Sequence, residues 1–147
     1  MITELHDVHV SRELALLLKQ AGFDWETKNW WDYCKPIDKW SLRNYPEAPV
    51  NWNSKYYNYD CSAPTLDVAQ RWLREVKHLD ISIHYDPTIK SQPYVYFIYD
   101  VEEKFNDILG IISPITHSYS DGYFYKYEEA QEAGIKKALG IILEKGE

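Results

Sequence analysis

The chain has 147 residues, a common size for one domain, and a formal net charge of −7. That charge argues against nucleic acid as a partner, because binding to phosphates draws most of its affinity from a basic stripe, and here the cations are scattered among acids. The apolar stretches 14–18 and 141–143 fall far short of the ~18 residues a membrane helix needs. Residues Met1 to Asp7 carry acids where a secretory leader has a basic stretch and an apolar core. The expectation is one cytoplasmic α+β domain over 1–147 that is not bound to a membrane.

The first predicted element is a short amphipathic helix. Ser11 is placed to cap it, Glu13 puts negative charge in the first turn, and Leu14, Leu17, Leu18 and Ala21 form one apolar stripe. Gly22 follows as the residue that ends the helix in a left-handed conformation.

From Phe23 to Cys61 regular periodicity disappears. Five of the six tryptophans fall here (Trp25, Trp30, Trp31, Trp40, Trp52), together with Tyr33, Tyr45, Tyr56, Tyr57 and Tyr59. Pro36, Pro46 and Pro49 interrupt helices, and four asparagines favour turns, so short strands and loops are expected. Disordered segments are poor in aromatics, so this one should be ordered against the core. Cys34 and Cys61 flank its second half without the dense spacing of a disulfide framework. A domain of this length buries roughly 68–70% of its unfolded surface, so two free thiols are the simple reading. A bridge between them is expected only in an exported protein.

The second helix is the clearest element. Pro64 suits a first helical turn, Ser62 and Thr65 are candidate caps, and Leu66, Ala69, Trp72, Leu73 and Val76 form the predicted buried stripe, with Gln70 among the residues facing water. It should end near His78. Ile81, Ile83 and Tyr85 then alternate with Ser82 and His84 as a half-buried strand, closed by Asp86-Pro87. Tyr94 to Tyr99 is apolar at every position and reads as a central strand covered on both sides, paired to its predecessor as an antiparallel hairpin. Val101 to Ser120 is least legible; the run Ile108 to Ile112 fits a short strand or a helical turn. Tyr123 to Tyr125 enters a last short strand, and a helix runs from about Tyr127 to Glu144, with Ala130, Gly134 and Ala138 small enough for close approach. The expected fold is α+β: a small antiparallel sheet packed by about three helices, with an aromatic-rich irregular segment.

No catalytic motif stands out. His6-Asp7-Val8-His9 lacks a third metal ligand at any defined spacing. Ser82, His84 and Asp86 share a strand face, yet a triad draws its groups from different elements and no G-x-S-x-G motif is present. Cys34 with His117 is a conceivable thiol–imidazole pair without a reactive signature. Glu128-Glu129 favours the start of the last helix through the macrodipole. There is no phosphate-cradling glycine loop, CxxC or HExxH, so no cofactor or metal is expected.

The aromatic surplus is the main functional signal. Tryptophan and tyrosine bury much area for little loss of side-chain entropy, which suits them to binding surfaces. Between Phe23 and Cys61 five cations face six acids, a near-neutral balance suited to an interface. Trp25, Trp30, Trp31, Tyr33, Trp40, Trp52, Tyr56 and Tyr57 are therefore the candidate binding residues. Full burial of Trp30, Trp31 and Trp40 would remove the basis for that reading.

The segment Ser62-Ala63-Pro64-Thr65-Leu66-Asp67-Val68-Ala69-Gln70-Arg71-Trp72-Leu73 resembles a recurrent group of small phage and prophage proteins of gut bacteria. Their pattern places an Ala-Pro-Thr-Leu helix start after a short helix closing in Gly-Phe, as at Ala21-Gly22-Phe23. Strands like Tyr94 to Ile98 follow, then a helix opening like Tyr127-Glu128-Glu129-Ala130. The resemblance implies an α+β fold and a mobile-element origin, in the cytoplasm of the host cell, and transfers no functional residues. Together with the missing motifs, it leads to the expectation of a non-enzymatic module that binds a host or phage protein. The alternatives are recognition of a glycan or nucleotide by stacking on coplanar rings, or an enzyme that gathers His84, Asp86, Cys34 or His117 in a cleft.

Overall fold

A computed structural model of the chain describes residues 8–54, 60–106, 111–119 and 122–144, and of 100–106 and 111–119 the backbone alone. The fold is α+β; the described residues form three α-helices and two antiparallel sheets. By backbone contacts it divides into two compact units, Met1–Ala69 with Ile142–Glu147, and Gln70–Ile141.

In the first unit, α1 (Arg12–Gln20) starts where the sequence places its cap: the Ser11 hydroxyl accepts the Leu14 N–H at 3.2 Å. Its end is a two-bond closure. Gly22, at φ +95°, donates to the Lys19 carbonyl at 3.1 Å, and Phe23 donates to Leu18 at 2.9 Å, satisfying carbonyls that the helix leaves open. Leu14, Ala15, Leu18, Ala21 and Phe23 are buried, and Leu17 lies at the margin.

The aromatic segment is more regular than its proline and asparagine content suggests. Strands β1 (Asn29–Cys34) and β2 (Lys39–Asn44) form a hairpin around the 3-10 turn Lys35–Ile37, where Asp38 adopts the left-handed conformation at φ 46°. The two-residue strand β3 (Cys61–Ser62) pairs with the other side of β1, giving the order β2-β1-β3.

Helix α2 (Leu66–Val76) is capped by Thr65, whose hydroxyl accepts the Val68 N–H at 3.2 Å. Pro64 therefore sits ahead of the helix instead of inside its first turn, and its carbonyl accepts the Val10 N–H. Ser62 is not a cap either; it lies in β3, fully buried. Leu66, Ala69, Trp72 and Leu73 are buried as their spacing predicts, but Val76 is exposed, because the helix ends there and His78 takes φ 58°.

The second unit holds β4 (Leu79–Tyr85), β5 (Tyr94–Asn106) and β6 (Ile111–Tyr119) in the order β4-β5-β6, with α3 (Tyr127–Glu144). The predicted hairpin is present with Ile81 opposite Ile98 and Ile83 opposite Tyr96. β5 is central, as expected, but only one of its faces is deeply buried: Tyr96 and Ile98 are in the core while Val95, Phe97 and Tyr99 are half-exposed. Gly134 explains how α3 approaches this core. A Cβ there would lie 2.8 Å from Ile81 Cγ2 and 3.2 Å from the Tyr96 ring, so only glycine fits without movement. Gln70 is not a water-facing residue; its amide donates to the Ile81 carbonyl at 2.6 Å and accepts from buried Gln131 at 2.8 Å. Such a chain satisfies polar groups that α3 and β4 bring out of water. Residues 107–110 and 120–121 lie outside the described residues, and Phe124 makes a single bridge to Tyr94.

Candidate functional site

Alternation along β1 and β2 sorts the aromatic side chains onto two faces. Directly paired residues share a face, so Trp31, Tyr33, Trp40 and Leu42 lie on one side of the hairpin. Trp30, Asp32, Cys34, Lys39, Ser41 and Arg43 lie on the other.

The second of these faces is closed by Trp52. Its ring stacks on Trp30 with centroids 3.9 Å apart and planes at 16°, and Tyr45 meets it edge-on at 6.4 Å. Trp52 is only 8% exposed. Its indole N–H donates to the Thr27 carbonyl at 2.8 Å, and its backbone N–H donates to the Ser62 hydroxyl at 3.1 Å. Asn53 ties the loop down further, donating to the Phe23 carbonyl and accepting the Ser62 N–H, both at 2.9 Å. This ring is a wedge that fixes the loop, and it belongs to the interior more than to any surface. Burying so large a ring while satisfying its N–H is the usual use of tryptophan in a core.

The first face is different. Trp31 is anchored at one point, where its indole N–H donates to the Val10 carbonyl at 3.0 Å, yet the ring remains half-exposed. Tyr33 and Trp40 lie 5.0 Å apart at 39°, and the Arg12 guanidinium sits 5.0 Å over the Trp40 ring. Cation–π contact of this kind contributes about 0.5–1 kcal/mol at an exposed site and holds the ring in one orientation. Leu42 is 42% exposed beside them, and Ile37 at the hairpin tip is 66% exposed. Tyr33 donates to the Asp38 carboxylate, and that bond holds the phenol's pKa above its usual value.

Charge is arranged around these rings. Arg43 pairs with Asp32 at 3.1 Å across the strands. Asp60 is raised above the normal carboxylate range, first by burial and then by the neighbouring Asp32 carboxylate, with Lys19 opposing. Lys19 also donates to the Asp60 carbonyl at 2.8 Å. Cys34 and Cys61 are both free thiols, and burial pushes Cys61 upward, away from reactivity at neutral pH.

Of the eight candidate residues, Trp31, Tyr33 and Trp40 come together on one half-exposed face. Trp30 is half-exposed on the opposite face against Trp52, and Trp25 lies apart from the hairpin, tilted against Phe23 at 6.3 Å. Tyr56 and Tyr57 lie outside the described residues. None of Trp30, Trp31 and Trp40 is fully buried. Sequence reasoning overlooked Leu42 and Ile37, because isolated aliphatic residues carry no binding signal until a hairpin register places them beside the rings. It also overlooked a tyrosine group in the second unit. There Tyr94 contacts Tyr85 edge-on at 5.5 Å and Tyr127 at 6.0 Å, with Tyr85 63% exposed.

Among the described side chains, the row Ser82, His84 and Asp86 does not form a triad. Ser82 Oγ lies 2.9 Å from His84 Nε2, but Asp86 is committed to its own turn. There it accepts from the Thr88 N–H at 3.0 Å and hydroxyl at 2.6 Å, which holds its pKa below normal. The side chain of His117, and both His6 and Asp7, lie outside what is described. Among the described residues no group of three or more histidine, cysteine or acidic side chains is placed to hold a metal ion, and no helix is long and apolar enough to cross a membrane. Comparison of the chain with protein-family models, with curated proteins and with solved structures finds no match.

Proposed function

We propose that the protein is a non-enzymatic binding module that engages a protein partner through the Trp31–Tyr33–Trp40–Leu42 face of the β1–β2 hairpin. The observation that carries this reading is the arrangement of three half-exposed rings on one face, Trp31, Tyr33 and Trp40, each held by a hydrogen bond or a cation–π contact, with exposed Leu42 beside them. Orienting rings before contact lowers the entropy lost on binding, and aromatic residues of this kind dominate interface energetics. Stacking of a glycan or nucleotide is less well supported: the most nearly parallel pair, Trp30 and Trp52, is already closed on itself at 3.9 Å, and Tyr33 and Trp40 are tilted. The likeness of the Ser62 to Leu73 segment to phage and prophage proteins suggests the setting, with a host or phage protein in the cytoplasm as partner.

The test is affinity capture from nuclease-treated host lysate, comparing the native chain with a Trp40→Ala/Leu42→Ala variant that leaves the Trp30–Trp52 stack in place. A protein retained by the native chain and lost by the variant supports the reading. Equal retention by both places the binding surface elsewhere, and the hairpin face is then abandoned.

A further inference from the structure

We propose that β2 is an acceptor edge, to which an extended segment of a partner protein, alternating acidic and apolar residues, adds as a fourth strand of the β2-β1-β3 sheet. This rests on the reading of the hairpin as a binding surface and specifies its mode and the partner's chemistry.

β2 closes one side of its sheet, and among the described residues it pairs with β1 alone. An antiparallel edge strand directs every second residue's N–H and C=O outward, where they template another strand. The six residues Lys39–Asn44 form a run of ordinary strand length, and none of them is buried. In strand addition, main-chain bonds supply affinity and the alternating side chains supply specificity.

The side chains of β2 define the complementary sequence. Lys39, Ser41 and Arg43 point to one face, while Trp40, Leu42 and Asn44 point to the other. An added strand presents residues directly opposite on the same faces. It is favoured when carboxylates oppose Lys39 and Arg43 and apolar side chains oppose Trp40 and Leu42. Among the described residues Arg43 bonds to Asp32 through Nε, and its guanidinium carries further donors.

The wider field agrees. Residues 28–43 carry Lys28, Lys35, Lys39 and Arg43 against Asp32 and Asp38, four cations less two acids, or +2, within a chain of net charge −7. Lys39 and Arg43 stand on the edge strand itself, so an acidic segment is drawn there. A second copy of the chain is disfavoured as the occupant. Antiparallel self-pairing of β2 about Ser41 sets Lys39 against Arg43, and like charges directly opposite destabilise a ladder. The same cations that protect the edge from its own kind select a strand of the opposite charge.

The experiment uses the full chain, isotope-labelled for NMR, with two end-capped synthetic peptides, Thr-Glu-Val-Ser-Val-Glu-Thr and its counterpart with lysine at both glutamate positions. The acidic peptide is expected to move the amide signals of residues 39–44, to show backbone contacts across the new strand pair, and to bind about tenfold more tightly than the lysine peptide. A Lys39→Glu/Arg43→Glu variant, both positions being exposed, should reverse that preference while keeping the native amide spectrum of α1. Equal affinity for both peptides, or a preference unchanged in the variant, overturns the inference. So do shifts confined to the Trp31 and Trp40 rings with the β2 amides unmoved, although that outcome leaves the aromatic binding face standing. Absence of any shift also overturns strand addition, while the lysate capture, which uses no peptide, decides the face independently.

Discussion

Trp30 and Trp52 lie face to face, with ring centroids 3.9 Å apart and planes 16° from parallel. This contact joins β1 to the loop that crosses it, and it divides the aromatic residues by position: Trp30 and Trp52 are stacked behind the hairpin, and Trp31, Tyr33 and Trp40 stay half-exposed in front. Trp52→Ala should therefore cost about 3–5 kcal/mol, since it removes a buried ring, its stack on Trp30 and its indole bond to the Thr27 carbonyl. Trp40→Ala should cost about 1–2 kcal/mol, limited to partial burial and the Arg12 contact. Urea denaturation followed by circular dichroism separates the two.

The two helical glycines of α3 make opposite predictions. Gly134→Ala forces a methyl to within 2.8 Å of Ile81 and should destabilise by about 1–3 kcal/mol. Gly140 has nothing within 4 Å of the added carbon, so Gly140→Ala should stabilise by about 0.5–1 kcal/mol through helix propensity alone. Thermal unfolding of the two variants tests the packing of α3.

Asp60 has a folded-state pKa raised above its unfolded value, chiefly by burial and then by Asp32. Its contribution is fully present below the unfolded pKa and is lost as pH rises through the folded one, so the ionised carboxylate strains the native state at neutral pH. Asp60→Asn should raise stability at pH 7 and leave it unchanged or lower it at pH 3. Denaturation across that range checks the sign.

The thiols should differ in reactivity. Cys34 is half-buried at the end of β1, whereas Cys61 is buried in β3 and its thiolate is disfavoured by that burial. Iodoacetamide under native conditions should label Cys34 first, with Cys61 modified only after unfolding, as read by peptide mass spectrometry.

Much of the fold was legible because local chemistry and tertiary packing agree. Ser11, Gly22 and the leucines between them define α1 without outside help, and the spacing of Leu66, Ala69, Trp72 and Leu73 fixes α2. The hairpin was illegible for the opposite reason. Trp30-Trp31 interrupts any alternation in Asn29–Cys34, and the alternation of Lys39 to Arg43 is only five residues long, set between Pro36 and Pro46, so neither strand stands out. Their pairing becomes clear only when Asp38 supplies the left-handed turn and Trp52 covers one face from a distant loop. The same dependence hid the division of roles: six tryptophans look alike in sequence, but the hydrogen bonds that Trp52 donates to the Thr27 carbonyl and the Ser62 hydroxyl decide that it is internal. Pro64 misled for a local reason, since Thr65 outcompetes it by capping the helix one residue later.

The most direct test of the central claim is the affinity of a captured partner for three purified proteins: the native chain, Trp40→Ala/Leu42→Ala, and Tyr85→Ala as a control on the other exposed aromatic group. Isothermal titration should show the hairpin variant weakened by tenfold or more, about 1.4 kcal/mol or greater, with the tyrosine control unchanged. Equal affinity for the native chain and the hairpin variant, or loss confined to Tyr85→Ala, would contradict the assignment of binding to the hairpin face.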